Sequence, residues 1–587
     1  MTSNTPRPGT APAWSIAAFS AIFSALGAHS ALAQAIERNL PPPPVSTAPV
    51  IAPPNIVAST ADPAPIGPAL SGLVILGNSD PVNASAASGI DVSRTPRLEH
   101  DGGLRRFLGQ PISRRLIAEI EAQIASTYRD QGYPFVSLST PPQELTTGVL
   151  QIRVLEFRMG TKTVPGAREQ DVPFIESRVR VAPGQEIGTV QLGQDLDWLD
   201  RYPYRSVTAV FTPGATPGQS DLQLQTTYAK PWTVYAGYSN SGSPLTSFDR
   251  YFAGFQTIVP GLRDAIVSYQ FTGSDNALFN DQAPFSSAAN PTYLSHAGRL
   301  IVPTLARQDV ELSVDYVQTY EPVQDLFTRI DTVEANLAYR AALSDFAAAL
   351  PGEGVIGIEA KSETSRAIFN NQNVAEHAIN IYQGIIGWAY SGNDPWGRTL
   401  ADATVHLSPG GLDSRNSVAA FKAFSNGRFV NDQYAYVSGD LTRFTRLPAV
   451  FGFKDLSLVN TLIGQYSAVP LPLSEQAGLG GPTLVRGYTL DDGAADTALV
   501  SRNELHGPIL PIGLGGSAIA PYVFFDTAIG VNEATKKQEY PTSTGVAVDI
   551  QLGRHISASL DGAWALRNAG FTRTGNGMFD IKVTVSY

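Results

Sequence analysis

Cysteine is absent from the 587 residues of the chain, which excludes a disulfide framework and any metal site that uses thiolates. The seven histidines are poor metal-ligand candidates too, because they are scattered without the short spacings of a zinc site. They stand at positions 29, 100, 296, 377, 406, 506 and 555. We therefore expect neither a bound metal nor a cofactor.

Charged residues are also scarce, at 16% of the chain, whereas soluble domains average about 25%. The 41 Lys and Arg residues face 52 Asp and Glu residues, and the formal charge of −11 argues against a general affinity for nucleic acid. An enzyme is the weakest functional class, because we find neither a nucleophile with its base nor a phosphate-binding loop. The abundant residues are 53 Gly, 26 Phe and 22 Tyr, which are typical of short turns and lipid-facing strands.

Long apolar runs are confined to the amino-terminal end of the chain. Residues 14–28 are apolar and rich in alanine, and they are followed by Ala31-Leu32-Ala33, the A-x-A pattern of a cleavage site. This predicts a secretory signal peptide over residues 1–33. An uncleaved anchor is the alternative, but the run is shorter than the ~20 residues of a spanning helix. No later segment is long and apolar enough to span as a helix, so an integral membrane protein with this sequence must be a β-barrel.

Proline and alanine dominate the segment that follows, with Pro41 to Pro44 as its densest part. Proline removes backbone donors and favours the extended polyproline II conformation. We therefore predict a semi-rigid linker over residues 34–69.

Two small α+β modules are predicted next, over residues 70–160 and 161–229. In the first, Ser113 is positioned to cap a helix whose apolar stripe belongs on a sheet. Residues 149–157 then alternate as a strand. In the second, a short helix precedes two alternating strands joined by the turns Pro213-Gly214 and Pro217-Gly218.

Strict alternation dominates residues 230–587. In the last segment Phe579, Ile581, Val583, Val585 and Tyr587 share one face, and polar residues occupy the other, the pattern of a lipid-embedded strand. A soluble antiparallel sandwich would alternate as well, but the signal peptide and the many evenly spaced segments favour a transmembrane β-barrel.

Sixteen antiparallel strands are predicted for this barrel, and an even number leaves both chain ends on the same side of the membrane. Residues 410–430 and 468–496 are assigned to outer loops, the second of them the sixth. The predicted strands are 232–240, 250–258, 264–273, 293–302, 309–319, 331–341, 354–363, 378–389, 398–407, 433–443, 456–467, 497–506, 518–527, 543–552, 556–566 and 578–587.

The sixth outer loop contains the least regular motif of this half, Gly480-Gly481-Pro482-Thr483-Leu484-Val485-Arg486-Gly487-Tyr488. It presents one cation among small and flexible residues. An arginine is costly to bury unless a carboxylate or carbonyl groups accept its five donors. The candidate partner is Asp526, which interrupts the aromatic strand Val523-Phe524-Phe525-Asp526-Thr527-Ala528.

A GG…VRGY loop followed by an F-x-D strand resembles the outer-membrane translocators of two-partner secretion, the TpsB family of ShlB/FhaC/HecB-like haemolysin secretion/activation proteins. The resemblance implies that the loop, with Gly480, Gly481, Val485, Arg486, Gly487 and Tyr488, folds back into the barrel lumen. Arg486 would then pair with Asp526 on the wall strand that carries Phe524. One departure is Ala528, where the family usually has glycine two residues after the aspartate; Gly530 follows.

The two α+β modules resemble the POTRA modules of the same family, and the terminal Tyr587 resembles the recognition end of outer-membrane barrels. These resemblances imply POTRA domains in the periplasm that bind an unfolded exoprotein, such as a haemolysin or adhesin. They also imply an outer-membrane pore that translocates and so activates this partner. Outer-membrane lipid, and the barrel-assembly machinery during biogenesis, are the other expected partners.

Three features remain open at this point. Many relatives carry a helix that occupies the pore, but the linker has little room for a long one. The superfamily also contains barrel-assembly factors, although two modules favour a secretion protein. A passive porin is a further alternative, but it would need neither the modules nor the VRGY loop.

Overall fold

The computed structural model describes residues 62–587 except 83–87, 99–100, 203, 280–289, 324–325, 348, 430, 450–451, 453 and 514. The predicted signal peptide, the possible pore helix and most of the predicted linker lie outside these residues. Two compact units divide the chain, one ending at Ala229 and the other beginning at Lys230. None of the helices in the described part of the chain has the length and hydrophobicity of a membrane span.

The first module places one amphipathic helix on a small sheet. Its elements are β1 (Pro65–Ala69), β2 (Gly72–Leu76), β3 (Gly89–Asp91), β4 (Pro111–Ser113), α1 (Arg114–Asp130), β5 (Val136–Ser139) and β6 (Val149–Glu156). Four of the strands form a sheet of order β3-β2-β6-β5. Ser113 caps α1 by accepting a hydrogen bond from the Leu116 amide at 3.0 Å. Leu116, Ile120 and Ile124 then pack on the sheet, as the apolar stripe predicted.

Strand β1 lies in the segment that we predicted as linker, and it pairs antiparallel with β4. Proline is tolerated there because this strand has a partner on one side only, so Pro65 and Pro68 need not donate to a second neighbour. The linker prediction therefore extends too far at its carboxyl end.

The second module combines a three-stranded sheet with two helices. Its elements are β7 (Arg158–Thr163), α2 (Val172–Arg178), α3 (Thr189–Asp200), β8 (Arg205–Pro213) and β9 (Gln219–Tyr228). The sheet has the order β7-β9-β8, with β7 parallel to β9. The helices cover one face of it through a core that contains Ile175, Leu196 and Leu224.

The second unit is a closed antiparallel barrel, as predicted. Its sixteen long strands are β10 (Trp232–Ser239), β11 (Arg250–Ile258), β12 (Ile266–Gly273), β13 (Tyr293–Pro303), β14 (Gln308–Val323), β15 (Leu326–Ala342), β16 (Glu353–Phe369), β17 (Gln372–Asp394), β18 (Gly397–Ser408), β19 (Tyr434–Arg446), β20 (Ser457–Ser467), β23 (Thr497–His506), β25 (Ala518–Val531), β27 (Thr542–Leu552), β28 (Ile556–Ala565) and β29 (Gly577–Ser586). Each long strand pairs with the next, and β10 pairs with β29 to close the ring.

Shorter elements decorate the barrel connections. They are α4 (Asp275–Leu278), α5 (Val418–Phe424), β21 (Ala477–Gly478), β22 (Ala494–Ala495), β24 (Leu510–Pro511) and β26 (Gln538–Glu539). The long strands alternate as expected: in β25, Phe524 and Asp526 point into the barrel and are buried, whereas Val523 and Phe525 are nearly half exposed on the outside.

Strands β16 and β17 extend well beyond their predicted ends. They meet in a two-residue turn, Asn370-Asn371, in which both residues have positive φ, as a tight hairpin requires. Residues 372–377 are exposed on both faces of β17, so they carry no apolar alternation from which a strand could be predicted.

Two connections matter for the site, and both lie at the distal end of the barrel, opposite the end at which Trp232 begins the first strand. Loop 5 is residues 409–433 and loop 6 is residues 468–496. Loop 5 coincides with the predicted outer loop but contains α5, whose Phe421 packs on Ile379 and Ile381 of the inner wall. Both loops therefore fold onto the lumen face of the wall.

Candidate functional site

Loop 6 folds into a compact segment inside the barrel. Its stem is formed by the two arms that lead to and from the wall strands, and its tip is the turn around Arg486 and Gly487. Its two arms meet in the short pair β21 and β22, and the Leu479 amide donates to the Gly493 carbonyl at 3.0 Å. At the tip, Gly487 has a φ of +81°, and a Cβ there would lie 3.0 Å from the Cβ of Ala563 in β28. The tip thus needs glycine both for its conformation and for its close approach to the wall.

Arg486 is almost fully buried, with 2% of its surface exposed. Its guanidinium makes a two-point contact with Asp526, through Nε to Oδ2 at 2.7 Å and Nη2 to Oδ1 at 2.9 Å. The Arg486 backbone amide adds a third bond, to Oδ2 at 3.3 Å. The loop arginine and the predicted wall aspartate are therefore in direct contact. Such planar two-point pairs are among the stronger charge-assisted contacts in proteins.

A second carboxylate, which the sequence reading missed, also faces this arginine. Glu504 of β23 lies 2.9 Å from Arg486 Nη1, and it also contacts Arg502 and His506. Arg502, Glu504 and His506 recur at every second position and so share the lumen face of one strand. That polar period of two is the signal that could have found Glu504.

Phe524 supplies the apolar part of the arginine pocket, because the guanidinium carbon lies 3.6 Å from the centre of its ring. This distance is typical of a cation–π contact. The guanidinium thus lies between charged oxygens and an aromatic face, and this environment excludes bulk water.

The other motif residues fasten the tip to the wall. Val485 is fully buried in an apolar cluster, to which the Ala528 methyl group belongs. Alanine at position 528 therefore fits where the family usually has glycine. The Tyr488 hydroxyl lies 2.7 Å from the Arg567 carbonyl and 2.9 Å from the Thr542 carbonyl.

The glycines occupy tight positions nearby. A Cβ on Gly480 would lie 2.5 Å from the Thr489 carbonyl, and Gly481 has a φ of +130°. On the wall, a Cβ on Gly530 would lie 2.5 Å from the side chain of Leu479. In this chain the wall glycine that loop 6 approaches is Gly530.

Two more carboxylates of loop 6, also missed, connect it to its neighbours. Asp496 accepts hydrogen bonds from the Leu471 and Glu533 amides and from Arg428 of loop 5, each at 2.7 Å. Asp492 accepts from the Phe571 and Thr572 amides, each at 2.8 Å. The stem of loop 6 is thus joined to three other connections of the distal end.

Tyr587 directly follows β29, the strand that pairs with β10 to close the barrel, and neither strand carries a residue of loop 6. Its amide donates to the Val234 carbonyl at 2.9 Å, and its ring is largely exposed. The Lys230 ammonium lies 3.4 Å from the ring centre. The terminal residue is therefore an outward aromatic next to the first strand.

Within the described part of the chain, no group of three or more potential ligands could hold a metal ion.

Two family models match the chain. Residues 396–552, which include loop 6, Arg486 and Asp526, match the haemolysin secretion/activation protein ShlB/FhaC/HecB. Residues 88–156 match the POTRA domain of ShlB type. The resemblance inferred from the sequence is thereby confirmed.

Curated relatives are outer-membrane transporters. The chain is 26% identical over 146 residues to the outer membrane transporter CdiB-2 of Burkholderia pseudomallei, covering 24% of each chain. It is 25% identical over 130 residues to the outer membrane transporter CdiB of Dickeya dadantii, covering 22% of this chain and 23% of the relative. The chain thus spans about a quarter of the length of the curated relatives it matches.

Solved structures share the fold across nearly the whole chain. CdiB from Escherichia coli superimposes with a TM-score of 0.64 at 15% identity, covering 92% of this chain and 94% of that structure. CdiB from Acinetobacter baumannii gives 0.55 at 13% identity, with 94% and 95% covered. The chain is an outer-membrane β-barrel with periplasmic POTRA modules, and it is similar to the ShlB/FhaC/HecB secretion/activation proteins over residues 396–552 and to their POTRA domain over residues 88–156.

Proposed function

We propose that the protein is the translocation pore of a two-partner secretion system, and that it exports and so activates one partner polypeptide. The observation that carries the proposal is the buried contact of Arg486 with Asp526 and Glu504, which holds loop 6 inside a closed barrel. A barrel of sixteen strands is wide enough to leave an aqueous channel. Here loop 6 occupies that space, so it acts as the gate.

The gate must release for a polypeptide to pass. Breaking a buried ion pair exposes charges that were compensated, at a cost of about 3–5 kcal/mol when one partner is removed. A cost of this size keeps the resting pore closed, yet a passing chain can supply it by binding the same polar groups. The pore needs no nucleotide, because folding of the exported chain outside the cell biases its movement.

Capture of the unfolded partner falls to the POTRA domains. In the second module β8 pairs only with β9 among the described strands, so its part beyond Val207, whose amide is bound by Asp200, offers an open edge. An extended peptide can add to such an edge through main-chain hydrogen bonds, with alternate side chains supplying selectivity. We therefore assign partner capture to strand addition.

Two further partners follow from the barrel itself. Its outward apolar side chains are suited to contact with outer-membrane lipid. Because Tyr587 resembles the recognition end of outer-membrane barrels, we assign its outward ring to recognition by the barrel-assembly machinery during biogenesis.

The test removes the gate contact from either side. Arg486→Ala and Asp526→Ala should each leave the barrel assembled and lower secretion at least tenfold, because loop 6 is no longer held in its functional position. The exported protein is sought among neighbouring genes, and its amount in the medium is measured by immunoblot.

Arg299→Ala is the matched control, because it removes another lumen arginine, which pairs with Glu311 of the wall at 2.8 Å. It should secrete normally. Full secretion by both gate variants would contradict the proposed role of the contact.

A further inference from the structure

Loop 6 has a second buried charged anchor, at Glu475 in its stem. Glu475 is fully buried, and its Oε1 lies 2.6 Å from Lys361 Nζ of β16. Its Oε2 accepts from the Tyr436 hydroxyl of β19 at 2.6 Å and from Gln383 Nε2 of β17 at 2.9 Å. One loop carboxylate thus binds three lumen-facing side chains on three wall strands.

This anchor uses a different part of the wall from Arg486. Strands β16, β17 and β19 are the seventh, eighth and tenth of the sixteen long strands, whereas Arg486 contacts β23 and β25, the twelfth and thirteenth. Release of the tip alone therefore leaves the stem bound. The two contacts have to open separately before loop 6 can leave the lumen.

The positive charge of Lys361 remains paired with carboxylates of the barrel wall when loop 6 is absent. Lys361 also contacts Glu359 at 2.9 Å and Glu334 at 3.7 Å, and both residues belong to the wall. Loss of Glu475 therefore leaves no bare ammonium group, and the site can exist in a bound and an unbound form. At the tip, by contrast, the hydrogen bonds described for Asp526 all come from Arg486.

We infer that Glu475 is a positioning residue of the gate, which docks the stem of loop 6 on Lys361, Gln383 and Tyr436 independently of Arg486. The inference rests on the proposed function for its place in translocation, because an anchored stem keeps the lumen filled. The docking itself is a property of the purified protein.

The absence of native cysteine allows a direct test. Ala477→Cys introduces a single thiol two residues from Glu475, at a fully buried position of loop 6, and cysteine packs as a small apolar residue. Its rate of reaction with a maleimide is measured on the purified full chain in detergent. Adding Glu475→Gln should raise this rate at least tenfold, because the stem spends more time off the wall.

Glu334→Gln is the matched control, since it removes the same charge from the same cluster but from a residue of the wall strand β15. Its labelling rate should stay within twofold of that of the parent. Tyr436→Phe removes only one donor to Glu475 and should raise the rate about threefold, which keeps the test usable if the glutamine variant does not assemble. Unchanged labelling in both Glu475→Gln and Tyr436→Phe overturns the inference.

Ion conductance of the same proteins in planar bilayers gives a second readout that needs no exported partner. Glu475→Gln should open more often than the Glu334→Gln control, and equal conductance would overturn the role of the anchor in gating. Failure of the secretion proposal would instead show as normal secretion by the Arg486 and Asp526 variants. The two failures are therefore distinguishable.

Discussion

At the scale of single residues, the proposed gate is one arginine shared by two carboxylates. Asp526 takes two donors of the guanidinium and Glu504 takes a third, while Arg502 and His506 also contact Glu504. Asp526 should therefore matter more than Glu504 for holding the loop. Loss of Asp526 removes the two-point contact, whereas loss of Glu504 leaves that contact in place.

Exchange of the charged pair tests this division. Arg486→Asp combined with Asp526→Arg should restore little secretion, because the carboxylate introduced into loop 6 would still face Glu504. Adding Glu504→Gln removes that repulsion, so the triple variant should secrete several-fold more than the exchange alone. The secretion levels of the double and the triple variant are measured side by side. Full secretion by the double exchange with Glu504 intact would contradict the conclusion that Asp526 and Glu504 share the arginine.

The gate arginine and its aspartate could be found from the sequence, because both belong to motifs with a specific resemblance. Glu475, Asp492 and Asp496 could not. Each is an acidic residue in a loop, and only the folded conformation of loop 6 buries it against hydrogen-bond donors from other parts of the barrel. A carboxylate that is buried by tertiary contacts has the same local sequence as one in water.

At the scale of elements, prediction succeeded where one face of a strand or helix is apolar and failed where it is not. The sixteen barrel strands and α1 have such a face, and their positions followed from it. The ends of β16 and β17 are exposed on both sides, and β1 contains two prolines. The inward course of loop 5 depends on Phe421 meeting Ile379 and Ile381, which are distant in sequence.

The second module, residues 161–229, contains a carboxyl group whose titration should change the stability of the module with pH. Burial raises the pKa of Asp200, at the end of α3, to about 6, against the bond that its carboxylate accepts from the Val207 amide and the nearby Arg205 charge. The folded module therefore binds a proton more tightly than the unfolded chain, whose aspartates titrate near ~4. Its stability should fall as the pH rises from about 4 to about 6, and level off above that.

Asp200→Asn should remove this dependence, because the amide oxygen still accepts the Val207 bond without a charge. Hydrogen exchange of the β8 amides in the full chain, corrected for intrinsic rates, measures the effect at pH 4.5 and 7. We expect greater protection at pH 4.5 than at pH 7 in the parent, and equal protection in the variant. Protection that increases with pH in the parent would contradict the raised pKa.

At the scale of the whole molecule, the chain combines periplasmic modules with a barrel whose own loops pack inside it. A passive porin needs an open lumen, whereas here loops 5 and 6 pack on the inner wall through Phe421 and Arg486. An assembly factor and a secretion pore share this plan, since both would handle an unfolded chain. They differ in the number of client proteins, and that difference can be measured.

Depletion of the protein separates these two functions. A secretion pore serves one partner, so its loss should abolish one exported protein and leave the outer-membrane proteome within twofold of normal. An assembly factor serves many barrels, so its loss should lower most of them together. Quantitative proteomics of outer membrane and medium, before and after depletion, measures both compartments at once. Because loop 6 is no longer held in its functional position without this contact, re-expression of Arg486→Ala should restore the exported protein by a tenth at most and leave the membrane proteome unchanged. A general loss of barrels on depletion would instead favour assembly.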